Sequence, residues 1–416
     1  MAACGLDFGT SNTTLGLPGR AGPVLAALEG DKTTVPSAVF YDRTGIARIG
    51  RDAVRAYVEG EDGRLMRALK SVLGTALIDE TTNVGRRRIP FREVIGDFVT
   101  TVKTRAEADR GVALTQVVMG RPVFFVDDDA AGNAKAQEAL EGVARAAGFS
   151  EIAFQFEPIA AALDYEQQVA HEELALIADI GGGTSDFSIV RLGPDRRARP
   201  DRADDILAND GVRIGGTDFD RQLSLGVVMP LLGYRSPMKQ ADRDVPSGYY
   251  FDLATWSAIN RLYSAKTVRE IVEVRREAAH PALLERLIKV IEEQRGHTLA
   301  IATEGAKIAL AEEGRARLDL SEVEAELDAE LDRAGLEDHT ATLARRIAQR
   351  VDICLAQAGL TASDIDAVFL TGGSTRLAHV RSAILACLPA ARVVDGDTFG
   401  SVGTGLALEA GRRFGG

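Results

Sequence analysis

The stretch LALIADIGGGTSDFSIVRL, Leu174 to Leu192, decides how this chain is read. Leu174, Leu176, Ile177, Ala178 and Ile180 form a short apolar run, and Phe187, Ile189 and Val190 form a second with partial alternation. The pattern predicts two buried strands joined by a tight turn. The turn is Gly181-Gly182-Gly183-Thr184, and three glycines remove every Cβ from the bend, so backbone N–H groups can converge on an anion. Asp179 and Asp186 flank it. A carboxylate beside a phosphate requires a cation between them, Mg2+ being the usual one. An ordinary hairpin with a glycine-rich turn has the same local pattern, so the rest of the chain must complete a site before the phosphate reading stands.

Residues 4–17, CGLDFGTSNTTLGL, repeat the logic: an apolar strand, Asp7, Gly9, a hydroxyl-rich turn through Thr10, Ser11 and Asn12, then a second apolar strand. Asp7 and Asp179 are 172 residues apart, too far for a solenoid repeat but suited to a duplicated unit that supplies one phosphate-gripping hairpin from each of two lobes.

Composition bounds the rest. A chain of 416 residues exceeds the size of a single core, which predicts two domains or lobes. With 45% hydrophobic and 26% charged residues it is globular. A net charge of −12 and a pI near 5.1 argue against nucleic acid or an anionic membrane as main partner. Cys4, Cys354 and Cys387 are too widely spaced for a disulfide framework or a thiolate metal cluster, so a cytoplasmic setting is expected. The N-terminus lacks signal-peptide character, and no run of eighteen apolar residues occurs.

Along the chain, TVPSAVFY (Thr34 to Tyr41) reads as a strand and RLMRALKSVLG (Arg64 to Gly74) as a short helix carrying Lys70, whose spacing alone gives it no role beyond a solvated side chain. VVMGRPVFFV precedes an Asp127-Asp128-Asp129 cap and a helix to Ala147. In IAFQFEPIAAALDYE, Glu157 sits where a strand ends and a helix begins, a position that also suits a plain dipole effect. LGPDRRARPDRADD (Leu192 to Asp205) is expected on the surface. NDGVRIGGTDFDRQL supplies Gly215-Gly216, then Asp218 and Asp220 opening a helix. Leu231 to His297 reads as irregular, with Tyr249, Tyr250, Phe251 and Trp256 forming either an interaction surface or the core of a small subdomain; helical patterning returns at Leu283 to Gln294. Glu304 and Lys307 lie in a helix from Leu299 to Ala311, where they could contact a base or ribose or simply pair with each other. SEVEAELDAELD (Ser321 to Asp332) opens with a capping box and is expected at the surface. A helix from Thr340 to Ala358 leads to DAVFLTGGSTRL, where Gly372-Gly373-Ser374 make a further glycine turn whose backbone could lie against a ribose or α-phosphate. The last glycine-rich turn and helix is GSVGTGLALEAG. The five histidines show no metal-ligand spacing and are expected at the surface.

The ordered set DFGTSN, ALKSVLG, GRPVFF, EPIAAALDYE, DIGGGTSDFSIV, GGTDFD, EGAKIAL and LTGGSTRL resembles the nucleotide-binding domain of the seventy-kilodalton heat-shock chaperones, DnaK type, in the actin-like ATPase superfamily, and looks closest to the truncated YegD-type members. The resemblance implies an α/β actin-like ATPase fold of two lobes, each a mixed sheet flanked by helices and each split into a core and a peripheral subdomain. Lobe I is expected over 1–170, with core 1–30 and 112–170, periphery 31–111, and closure by 393–416. Lobe II is expected over 171–392, with core 171–214 and 340–392 and periphery 215–339.

By the same resemblance, Gly9, Thr10, Ser11 and Asn12, with Gly181, Gly182, Gly183 and Thr184, hold the β- and γ-phosphates of ATP or ADP. Asp7 and Asp179 bind hydrated Mg2+, supported by Asp186; K+ is a further candidate. Lys70, Glu157, Asp179 and Thr184 are the catalytic set, with Lys70 steadying the γ-phosphate and Glu157 positioning water. Gly215, Gly216, Glu304, Lys307, Gly372, Gly373, Ser374 and Arg376 complete the nucleotide contacts. Ile308 replaces the family's second basic residue, which puts the adenine contact in question, and with only eleven residues after Gly405 the linker and peptide-binding sandwich of full-length members are not expected. A slow ATPase of chaperone type that switches an unidentified protein partner or co-chaperone is the first expectation. A small-molecule kinase and a nucleotide-sensing adaptor or filament protein are the alternatives.

Overall fold

The first strand, β1 (Ala2–Phe8), alternates strictly: Cys4, Leu6 and Phe8 enter one apolar core, while Ala3 lies in another on the opposite face. Period-2 geometry therefore puts Asp7 on the Ala3 face. The structure, a computed structural model, describes residues 2–415 apart from Arg86, Ala198, Pro200, Asp201 and Ala241. Two compact units emerge: one of residues 1–216, 345–375 and 380–416, the other of residues 217–344 and 376–379.

The first unit holds two sheets built to one plan. In one, β1 pairs antiparallel with β2 (Asn12–Leu17) and parallel with β3 (Leu114–Arg121), which pairs parallel with β4 (Glu151–Phe156). Val24–Leu25 extends β2 antiparallel, and Thr34–Pro36 also pairs with it. In the other, β5 (Glu173–Ile180) pairs antiparallel with β6 (Ser185–Leu192), which pairs antiparallel with β7 (Ile206–Val212). On its other side β5 pairs parallel with β8 (Ala367–Thr371), and β8 parallel with β9 (Arg392–Asp395). Central strand, hairpin partner and two parallel strands recur in the same order, as a duplicated unit requires.

Between the sheets lies one apolar layer formed by Ala3 and Val118 of the first sheet, Ala175, Ile177, Val190 and Phe369 of the second, and two helices, Glu157–Tyr165 and Ser401–Phe414. Ala175 and Ile177 face it, so Asp179 does too. Both aspartates thus point into one layer from the ends of equivalent strands. The outer face of the first sheet is covered by the helices Phe91–Arg110 and Ala130–Ala146. Phe8 and Phe98 meet there with ring centroids 5.7 Å apart, each fully buried ring worth about 1.5–3 kcal/mol.

Several local expectations are corrected. Arg64 to Gly74 is not a helix: Gly63–Arg67 is a strand paired with Ala38–Asp42, and Leu69–Val72 is a 3-10 turn entered through Ala68 at φ 55°. Thr34 to Tyr41 divides into Thr34–Pro36 and Ala38–Asp42, which serve different sheets. The surface assignment of Leu192 to Asp205 fails at both ends, since Leu192 is buried and Asp205 accepts hydrogen bonds from Arg196 and Arg202 in a buried network with Glu166; three of its residues lie outside the described ones.

In the second unit, Leu231 to His297 is mostly helical, with Gly248–Leu253, Ala265–Glu277 and Pro281–Glu292. Tyr250 and Trp256 are core there, Tyr249 is half-buried and Phe251 is exposed. Asp328–Asp332 is a strand paired with Arg315–Asp319, not the continuation of a capped helix. The helix ending at Ala358 begins at Arg333, seven residues before Thr340. Among the described residues no helix is long and apolar enough to cross a membrane.

His297 departs from its expected surface position and is buried. His379 is partly buried against Phe219, its Nε2 2.9 Å from Thr340 Oγ1, and burial lowers its pKa from 6.5 against the pull of Glu337. A folded pKa below the unfolded one favours the neutral ring, so its contribution is complete above about pH 6.5 and is lost as pH falls below that value. We expect the melting temperature to fall between pH 7.5 and 5.5, and the fall to be smaller in His379→Gln. Equal slopes for the two proteins would remove this assignment.

Candidate active site

Asp7 on β1 stands opposite Thr14 on β2, and Asp179 on β5 stands opposite Asp186 on β6. The turns that follow them meet. A Cβ built on Gly182 would collide with Ser11 Oγ, and one on Gly183 with Thr10 Oγ1, so a side chain at either position would force these hydroxyls aside and push the two turns apart. The Gly9–Asn12 turn is fixed from behind by Ser37: its Oγ donates to Gly9 C=O at 2.6 Å and its N–H to Ser11 C=O at 2.9 Å. The Gly181–Thr184 turn is fixed by its own Gly181 N–H to Thr184 C=O bond at 2.9 Å. Gly216 N–H (2.9 Å) and Ser374 Oγ (3.1 Å) both donate to Gly181 C=O. The Gly372-Gly373-Ser374 turn backs directly onto this one, with Gly372 at φ 83° against Ile180 C=O.

Glu157 begins its helix with Pro158 next in line, directly after β4, and the helix lies in the layer between the sheets. Its carboxylate accepts from Lys70 Nζ in an ion pair with both side chains buried, across 87 residues of sequence. Burial opposes the charge on Lys70, but Glu157 and Asp7 outweigh it and raise its pKa. Burial, then Glu157, pushes Asp7 up to about 7 against Lys70. Asp179 rises well above the usual range through burial and through Glu157, Asp186 and Asp7. Burial and Glu157 also push Asp186 up to about 7, opposed by the Thr184 hydroxyl, the Val123 N–H and Lys70. Asp186 Oδ1 accepts the Val123 N–H at 2.6 Å, and its Oδ2 is buried without a hydrogen-bond partner.

Four acids, Asp7, Glu157, Asp179 and Asp186, are coupled to Lys70, and Arg121 couples to Glu157 and Asp186. Burial, reinforced by the neighbouring carboxylates, raises all three aspartates, a cost that a cation placed among them would offset. Among the described residues no set of three His, Cys, Asp or Glu side chains converges as a direct ligand shell. The donors that are present, one aspartate at the end of each of two equivalent strands, Asp7 and Asp179, fit Mg2+, which keeps several waters and takes one or two carboxylates plus phosphate oxygens.

Other expected site residues belong to the second unit. Lys307, on the helix Gly296–Glu312, forms a largely buried ion pair with Asp220 Oδ1 at 2.7 Å, with Glu304 one turn before it. Ile308 is exposed, and the exposed Arg376 lies 3.5 Å from Glu312. Asp220 as the partner of Lys307, and Ser37 behind the Gly9–Asn12 turn, were not legible in the sequence, because neither pairing follows from periodicity or a motif.

One comparison adds to this geometry. A family model described as "Hsp70 protein" matches residues 3–228 and 288–411, most of the chain, leaving 229–287 outside. The family carries the actin-like ATPase fold, in agreement with the duplicated sheets, and ATPases of this family bind ATP or ADP with Mg2+. This chain belongs to the Hsp70 family.

Proposed function

We propose that this chain binds Mg·ATP at the Asp7/Asp179 site, hydrolyses it slowly and uses the cycle to switch a partner protein in the cytoplasm. The observation that carries the reading is the buried Lys70–Glu157 ion pair held among Asp7, Asp179 and Asp186 where the two glycine turns meet. In this reading Thr10, Ser11, Asn12 and Gly181 to Thr184 supply N–H and hydroxyl donors to the phosphates. Asp7 and Asp179 would hold Mg2+, with Asp186 supporting them. The bound ion would neutralise charge on the phosphate oxygens. Lys70 steadies the transferred phosphoryl group, and Glu157 orients the attacking water by accepting its hydrogen bond. Phosphoryl transfer is mainly positioning and charge neutralisation, which these residue types provide.

A small-molecule kinase is the second reading, favoured by residues 229–287 falling outside the family match. γ-Labelled ATP tests both. Label released to water in the presence of Mg2+, and its loss on chelation, is the expected result. Label found only on an added acceptor would replace the ATPase with the kinase, and absence of Mg·ATP binding by calorimetry would end both.

A further inference from the structure

The lysine of the proposed site sits on an unusual support. Its 3-10 turn is entered through Ala68 in the left-handed region, a conformation that persists only where surrounding contacts enforce it. Ser71 N–H (2.9 Å) and Ser71 Oγ (2.6 Å) both bond back to Ala68 C=O. Ser71 C=O accepts from the Arg213 guanidinium, 142 residues away in sequence. Arg213 is itself fixed, because its backbone N–H donates to Asp127 Oδ1 at 2.9 Å.

Arg213 also adjoins the second phosphate turn. It follows Val212, which pairs with Ser185, and precedes Ile214, whose carbonyl accepts Ser185 Oγ at 2.7 Å. Two residues further on, a Cβ on Gly215 would strike the Gly183 backbone, and Gly216 N–H bonds Gly181 C=O. A single side chain therefore ties the backbone that bears Lys70 to the backbone that forms the Gly181–Thr184 turn. The Glu157 carboxylate holds only the far end of the lysine.

We infer that Arg213 is a positioning residue: by gripping Ser71 C=O it sets the reach of Lys70 to a phosphate held at Gly181–Thr184. The inference rests on the hydrolysis reading above. A guanidinium suits the task because its planar donors are rigid and its charge is independent of pH. Alignment of reacting groups is sensitive to displacements of about 1 Å, so loss of the grip lowers the rate more than the affinity.

The test compares Arg213→Ala, Arg213→Met and Arg213→Lys with the parent in the full chain. Without nucleotide, hydrogen exchange at the amides of residues 69–74 is expected to quicken about tenfold in Arg213→Ala. With Mg·ATP, its single-turnover hydrolysis falls about tenfold or more while the dissociation constant stays within about threefold, and Arg213→Lys recovers most of the rate. Parent-like turnover in Arg213→Ala, or affinity lost in proportion to rate, overturns the inference. If Arg213→Ala fails to melt cooperatively, Arg213→Met, which keeps the stem and loses the donor, carries the same expectations. Absent turnover in the parent chain would sink the ATPase reading alone; the exchange measurement then decides whether Arg213 anchors the turn, and unchanged exchange refutes it.

Discussion

Lys70→Ala lowers single-turnover ATP hydrolysis about a hundredfold or more and leaves the Mg·ATP dissociation constant within about tenfold of the parent value. The separation follows from what each group faces. The proposed phosphate donors are the two glycine turns, held by Ser37, Gly216 and Ser374, and the substitution touches none of those bonds. What it removes is a cation buried against Glu157 and coupled to Asp7, Asp179 and Asp186. Stranding a buried carboxylate usually costs about 3–5 kcal/mol, but acids already raised toward 7 can take up protons instead. The variant should therefore remain folded, which a thermal melt checks.

The pH dependence gives a second readout. Asp7 and Asp186, at about 7, are largely protonated below that pH, so Mg·ATP affinity in the parent should weaken as pH falls from 8 to 6. Removing the positive charge raises those pKa values further, so in Lys70→Ala the weakening should begin at higher pH. Turnover at the parent rate, or a pH profile that does not move, would separate Lys70 from the chemistry.

How far the sequence reveals this site depends on the range of each interaction. Both hairpins were legible because their signals are local: apolar strand, aspartate, glycine turn, apolar strand. The duplication was legible for the same reason. The support of Lys70 was not. Leu65, Leu69, Val72 and Leu73 mimic a helical stripe, but Leu65 and Met66 pair with Phe40 and Val39 in a sheet, and long-range pairing overrode the local pattern. The helix Ala265–Glu277 does carry a helical stripe, Val268, Ile271 and Val272, but the stripe is short and set among charged residues, with Ile271 alone fully buried, so it reads weakly in the sequence. Asp328–Asp332 was hidden by a serine followed three residues later by glutamate, which imitates a helix start while the segment completes a hairpin with Arg315–Asp319.

Gly405→Ala is expected to destabilise the chain by about 3 kcal/mol or more, and Gly405→Val to prevent folding, although position 405 lies in a helix interior where alanine is ordinarily preferred. The helix Ser401–Phe414 crosses the Glu157–Tyr165 helix at this residue, and a Cβ would overlap the backbone carbonyl of Ala160. Relief by rotation is blocked on the other side, where Leu406 lies against the position a Cβ on Gly5 of β1 would occupy. The two helices fill the layer between the sheets, so neither can retreat without opening the core of Ala160, Ala161, Val402 and Ala410. Gly96→Ala is the matched control, because it too sits inside a helix, with nothing within 4 Å of its added Cβ, and it should stabilise by about 0.4–1 kcal/mol. Opposite signs in denaturant unfolding would establish that the packing of these two helices, not helix propensity, governs position 405. Because the displaced helix carries Glu157 at its first residue, Gly405→Ala should also slow hydrolysis under conditions where it remains folded, whereas Gly96→Ala should not; a folded Gly405→Ala protein with parent stability would show that the layer yields.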